Sequence, residues 1–103
     1  MVTAAQGADE VVLSGRLDVS TVHDVRLALH AAIDAGSGDL LVDMHGVEML
    51  DATGLGMLVG AHRRAGRRGR RLVLGNVGPQ LERLLRVSRL NRILVVAEAP
   101  AEH

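Results

Sequence analysis

Phenylalanine, tyrosine and tryptophan are all absent from this 103-residue chain. Without aromatic faces there is no stacking platform for bases or sugars, and the core has to be assembled from Leu, Val, Ile, Met and Ala. Cysteine is missing too, which removes disulfides and thiolate metal sites. Lysine does not occur: all 12 Lys and Arg positions are arginine, they are matched by 12 acidic residues, and the formal charge of zero is not that of a general polyanion binder. Residues 1–10 show neither the basic segment nor the apolar segment of a secretory leader, and no later apolar run approaches membrane-spanning length. The expectation is a cytoplasmic protein with no membrane and no direct nucleic-acid partner.

What is present is a chain that is 48% apolar and of a length suited to one domain, 1–103, with a core at about 10–96. Extended and helical signals alternate along it. Residues 2–5 and 10–14 read as two short strands, with turn chemistry at Gly7, Ala8 and Asp9 between them and Gly15 closing the second. Thr21 and Asp24 have the spacing of a capping box, and Val22, Val25, Leu29, Ala32 and Ile33 recur at helical spacing until Gly36, Ser37 and Gly38. Residues 39–43 form an almost wholly apolar run, as expected of a central strand covered on both faces. A second helix follows residue 51, with Leu55, Leu58, Val59 and His62 on one face and arginines at its end, where cations offset the helix dipole. Residues 71–75 are a further strand. Pro79 opens a helix striped by Leu81, Leu84 and Leu85, and residues 93–96 are the last strand. The order β-β-α-β-α-β-α-β predicts an α/β fold: a mixed, mainly parallel sheet with an N-terminal antiparallel edge hairpin and helices packed on it.

The rest of the chain is organised around residues 49–60. Asp51 and Thr53 carry oxygens of the kind that cap a helix, and Gly54 and Gly56 leave its first turn nearly bare. A bare first turn exposes backbone N–H groups at the positive end of the helix dipole, where a phosphate, an oxyanion or a partner's carboxylate can sit. Gly54 and Gly56 are not a phosphate-binding loop: the P-loop lysine is missing, and the third glycine of a dinucleotide fingerprint is not at its spacing. No cofactor is called for. Asp18 is placed either to cap the first helix or to face a partner. Asp43 ends the central strand, to pair with an arginine or to position a phosphoryl group. His45 follows in the same loop, but no serine or cysteine nucleophile is placed by spacing beside the two, so an enzyme is not expected.

Gly15 to Asp18 with Thr21, the strand 40–43 followed by Gly46 and Val47, the run Leu50, Asp51, Ala52, Thr53, Gly54, Leu55, Gly56, and then 71–74 and 85–90 together resemble a STAS domain of the anti-sigma-factor antagonist type. The resemblance covers residues 10–96. It implies a regulator that binds an anti-sigma factor with serine kinase activity and so releases a sigma factor; phosphorylation at the helix N-terminus breaks the complex and a phosphatase restores it. It also implies a partner face made of Asp18, Asp43, His45, Asp51, Ala52, Thr53, Gly54, Leu55 and Gly56; the sequence leaves the oligomeric state open between a monomer and a weak dimer. The chain departs from the pattern at one place. The acceptor serine of the phosphorylated members directly follows the turn aspartate, and here that residue is Ala52. Either Thr53 serves as the acceptor, or the turn stays unphosphorylated, Thr53 is only a helix cap, and the antagonist is constitutively competent. The alternative use of the same fold is as a STAS scaffold subunit of a lipid-transport or stress-sensing complex.

Overall fold

The apolar stripes at helical spacing become three helices, and the extended runs between them become neighbouring strands. The computed structural model describes residues 3–6 and 9–97; Val2, Gly7 and Ala8 of the expected opening hairpin, and the tail from 98 onward, lie outside the described residues. The chain runs β1 (Thr3–Gln6), β2 (Glu10–Leu17), α1 (Val22–Ala35), β3 (Asp39–Leu50), α2 (Ala52–Arg67), β4 (Arg71–Gly75), α3 (Pro79–Val87), a 3-10 turn (Leu90–Arg92) and β5 (Val95–Val96). The strands lie side by side in sequence order; β1 is antiparallel to β2, and β2 to β5 are parallel.

Sequential order has a consequence for layering. Right-handed crossovers that always step in the same direction put every connecting helix on the same side of the sheet. Burial follows that rule: Val11, Leu13 and Leu17 of β2 and Leu40, Val42 and Met44 of β3 are buried, whereas Val12 is 37% exposed, Leu41 and Asp43 are half-buried and His45 is exposed. The expectation of a central strand covered on both faces is therefore corrected to one helix layer and one open face.

α1 buries the five residues whose spacing marked it, Val22, Val25, Leu29, Ala32 and Ile33. Its capping box does not form. Thr21 has helical backbone angles (φ −115°, ψ −18°) in place of the extended ones a side-chain cap needs. Its hydroxyl instead accepts from the Asp18 N–H at 3.1 Å and donates to the Arg16 carbonyl at 2.7 Å.

Two strands are longer than expected. Gly15 does not close β2; at φ +92° it carries the strand through an irregular stretch of its pairing with β3. β3 in turn runs on to Leu50, so His45 and Gly46 lie in strand, because Ser14, Gly15 and Leu17 supply partners to Gly46, Val47 and Leu50. At the other end of the chain the α3 stripe is only partly sealed, with Leu85 buried, Leu81 half-buried and Leu84 37% exposed. β5 is shorter than the expected 93–96, since the 3-10 turn takes up the approach to it.

α1 and α2 are tied across their surface by Asp34, which receives Arg64 through two bonds (3.1 and 2.6 Å) and lies 3.3 Å from Arg68. The Arg64 hydrogen bond holds the Asp34 carboxyl below its ordinary value.

Candidate partner-binding site

β3 delivers the chain to α2 at Leu50, which is paired with Leu17 of β2. The next residue, Asp51, is extended (φ −102°, ψ −174°). Its N–H donates to the Leu17 carbonyl at 3.2 Å, and its Oδ1 accepts from the Gly54 N–H at 3.0 Å. This is the geometry of an N-cap reaching the third helical residue. Asp51 alone therefore caps α2. Thr53, the other expected cap, sits at the second helical position, where its side chain cannot reach back over the first N–H groups; its hydroxyl is exposed and makes no hydrogen bond among the described residues.

Gly54 is required by packing. A Cβ there would lie 2.6 Å from the Leu17 carbonyl oxygen and 3.1 Å from Leu17 Cβ, whereas one at Gly56 would meet nothing within 4 Å. Gly54→Ala is expected to lower stability by about 1–3 kcal/mol through overpacking, against a helix-propensity gain of about 1 kcal/mol. Gly56→Ala collects only the gain. Thermal melts followed by circular dichroism check both; equal melting shifts would remove the close approach from the account.

Gly54 and Leu55 are buried, so the turn presents Ala52, Thr53 and Gly56 outward. They form a small, uncharged surface beside the Asp51 carboxylate.

Asp18 does not cap α1. Its Oδ1 accepts from the Ser20 N–H at 3.0 Å and the Ser20 hydroxyl at 2.6 Å, which, with Arg16 3.5 Å away, holds its carboxyl below the ordinary value. This aspartate turn lifts Val19, 75% exposed, two residues beyond Leu17, whose carbonyl receives the Asp51 N–H. Val19 was not singled out from the sequence; an apolar residue between two turn-forming polar ones is the only signal it leaves.

Asp43 and His45 are not part of this cluster. Asp43 pairs with Val12 and Leu50 with Leu17, and those five β2 steps are about 17 Å at 3.3 Å per residue. Asp43 Oδ1 accepts from the His45 backbone N–H (2.9 Å) and from Asn76 Nδ2 (3.0 Å), so it ties β3 to the chain leaving β4 and pairs with no arginine. The His45 imidazole makes no contact with it that would create a catalytic pair. Among the described residues no group of His, Asp or Glu is arranged to hold a metal ion.

A groove of about 580 Å³ opens next to the turn, between the end of β3 (Met44, Val47, Leu50) and the start of α3 (Pro79, Leu81, Leu84). Its sequence trace is the incompletely buried leucine stripe of α3.

The comparisons with known proteins agree with this architecture. The family model described as "Mlab, STAS domain" matches residues 1–96. An anti-sigma-B factor antagonist of Staphylococcus aureus is 30% identical over 89 residues, 86% of this chain and 82% of that protein. An anti-sigma factor antagonist from Mycobacterium paratuberculosis has the same fold, with a TM-score of 0.77 at 20% identity, covering 96% of this chain and 86% of that one. The anti-sigma factor antagonist SpoIIAA in its unphosphorylated form gives a TM-score of 0.71 at 19% identity, over 97% and 90% of the two chains. With its one-sided parallel sheet, its antiparallel edge and its aspartate-capped second helix, the chain belongs to the STAS domain family.

Proposed function

We propose that this protein is an anti-sigma factor antagonist: it binds an anti-sigma factor that is also a serine kinase, and so frees a sigma factor. It does this as a binding module and not as an enzyme, in the cytoplasm. Among the described residues no helix is long and apolar enough to cross a membrane. The contact surface is centred on Ala52, Thr53 and Gly56, with Asp51 holding the helix end and Asp18 and Val19 beside it.

The observation that carries this reading is the state of Thr53, an exposed hydroxyl without a hydrogen bond at the second position of a helix capped by its neighbour. With Asp51 as the cap, Thr53 has no structural task that phosphorylation would disrupt. A phosphate would add about −1.5 to −2 charges. Its own helix N-terminus favours that charge, but Asp51 already accepts from the Gly54 N–H, so the phosphate is turned outward into any partner seated there.

The test is to incubate the protein with the serine-kinase anti-sigma factor of its host and ATP, then read the mass of the Thr53 peptide and the affinity by calorimetry. Phosphate on Thr53 with loss of binding establishes a partner switch, for which a phosphatase is the reset. Binding without phosphate makes the protein a constitutive antagonist, the reading that Ala52 favours. No binding by the unmodified protein removes sigma regulation and leaves a scaffold subunit of a lipid-transport or stress-sensing complex.

A further inference from the structure

Several arginines stand near the end of α2, and they divide by what they touch. Arg64 and Arg68 are bound to Asp34 of α1. Arg63 and Arg67, one turn apart, are exposed and make no ion pair among the described residues. Across the seam between the helices Arg26 is likewise exposed and unpaired. His30 lies among them: burial lowers its pKa first, Arg64, Arg26 and Arg67 lower it further, and Asp34 alone raises it.

In a chain of zero net charge, Arg26, Arg63 and Arg67 leave a local cationic surface without its own counter-charge. Guanidinium groups present flat forks that match carboxylates in pairs. The surface is also continuous with the turn. At helical spacing the exposed side of α2 runs from Thr53 through Gly56 and Gly60 to Arg63 and Arg67. Fourteen residue steps at 1.5 Å make that path about 21 Å, or about four helical turns. Gly56 and Gly60 have nothing within 4 Å of where a Cβ would stand, so the backbone is open to close approach there.

We propose that this face of α1 and α2 is a second contact surface for the same partner, and that it receives a helix of the anti-sigma factor whose acidic residues lie over Arg63, Arg67 and Arg26. The inference rests on the function proposed above and adds the occupant's chemistry: small or apolar residues where it crosses Gly56 and Gly60, and paired carboxylates at the far end. A protein helix fits better than an anionic membrane, because the chain has no aromatic residue and the exposed side of α2 carries Gly56, Gly60, Arg63 and Arg67 where a helix that enters a bilayer has apolar residues; on α1, Leu27 alone is a large exposed apolar residue beside Arg26.

The experiment uses the purified serine-kinase anti-sigma factor of the host as probe, titrated with the wild-type chain, Thr53→Asp, Arg63→Glu with Arg67→Glu, and Gly60→Gln. Heteronuclear NMR spectra establish that each variant is folded, which is expected because none of these side chains makes an internal hydrogen bond or ion pair. The double charge reversal is expected to weaken binding about tenfold or more at ~0.15 M salt, with a smaller difference at ~0.5 M. Gly60→Gln is expected to weaken it at both salt concentrations.

Loss of binding by Thr53→Asp with the charge-reversed variant unchanged overturns this inference and leaves the proposed function standing. No binding by the wild-type chain overturns both. Capture of the wild type but not the reversed variant by phosphatidylglycerol vesicles, with kinase affinity unchanged, replaces the helix by a membrane surface and overturns it as well.

Discussion

Thr53→Asp is expected to weaken binding of the anti-sigma factor by about 100-fold, about 2.7 kcal/mol, without destabilising the domain. The two effects part because the side chain is exposed and makes no hydrogen bond among the described residues, so nothing internal is lost on substitution. A carboxylate in the first turn gains from the helix dipole, by about 0.3–1 kcal/mol at an exposed site. In the complex the same carboxylate is buried against a surface shaped for a methyl and a hydroxyl, two residues from Asp51. An unpaired charge driven into an interface costs several kcal/mol, more than the loss asked for here. Thr53→Ser keeps size and neutrality and should bind within about twofold of wild type, since little apolar area is removed. If Thr53→Asp loses affinity and melts at or above the wild-type temperature, the turn is contact surface; if affinity and melting fall together, it is structural and the assignment fails. The absence of Tyr and Trp rules out intrinsic fluorescence, so affinities come from calorimetry or NMR and melts from far-ultraviolet dichroism.

Ala52 bears on the same switch. It is exposed at the first helical position, next to the cap. Introducing a hydroxyl there by Ala52→Ser places an acceptor directly after the turn aspartate, the position that the family resemblance assigns to the phosphorylated serine. A kinase that modifies Ala52→Ser but leaves the wild-type chain unmodified would show that the enzyme reads position 52 and that this protein has left phosphorylation control.

The parts of the fold that were legible in the sequence are those decided by one element's own periodicity. α1 is the clearest: its five core residues were visible as spacing because the face they form is wholly buried and the rest of the helix is solvated. The length of β3 is not legible, since residues 46–50 are extended because residues 14–17 of β2 run alongside them, and Met49 and Leu50 find partners only because β2 continues beyond Gly15. Pairing between strands far apart in sequence leaves no local period to count. The cap of α2 was half legible. Two oxygens of the right kind were seen, but choosing Asp51 over Thr53 depends on the extended backbone at Asp51, which β3 and Leu17 impose. The consequence reaches function, because the choice releases Thr53 from structural duty. Asp43 and His45, which the family resemblance assigns to the partner face, lie back along β3 from the turn because the strand runs on to Leu50.

The largest loss of stability is expected at Arg70, which is one arginine among many in the sequence and the only buried charged residue in the described structure. Its side chain is 1% exposed and reaches back from just before β4 to the end of α1. Nε donates to the Gly38 carbonyl (2.9 Å), Nη1 to those of Ala32 (2.8 Å) and Ile33 (3.2 Å), and Nη2 to those of Ser37 (3.3 Å) and Asp39 (3.4 Å). α1 needs this help. It has no basic residue in its last turn, and Gly36 leaves in an extended conformation that does not fold back over the helix's own last carbonyls. Arg70→Met preserves much of the volume but strands those acceptors together. Hydrogen bonds to a charged donor are worth about 1.5–3 kcal/mol each and overlap strongly when one group makes five, so a total loss of about 3–5 kcal/mol is expected. For a domain of this size that is a large share of a total of about 5–15 kcal/mol, and the melting temperature should fall by about 15 °C or more. Arg70→Lys keeps the charge but not the fork; it can satisfy only some of the carbonyls and should fall between the two. A melting temperature for Arg70→Met within a few degrees of wild type would mean that water replaces the guanidinium at the end of α1, and that the link from β4 to that helix is not what holds the layer together.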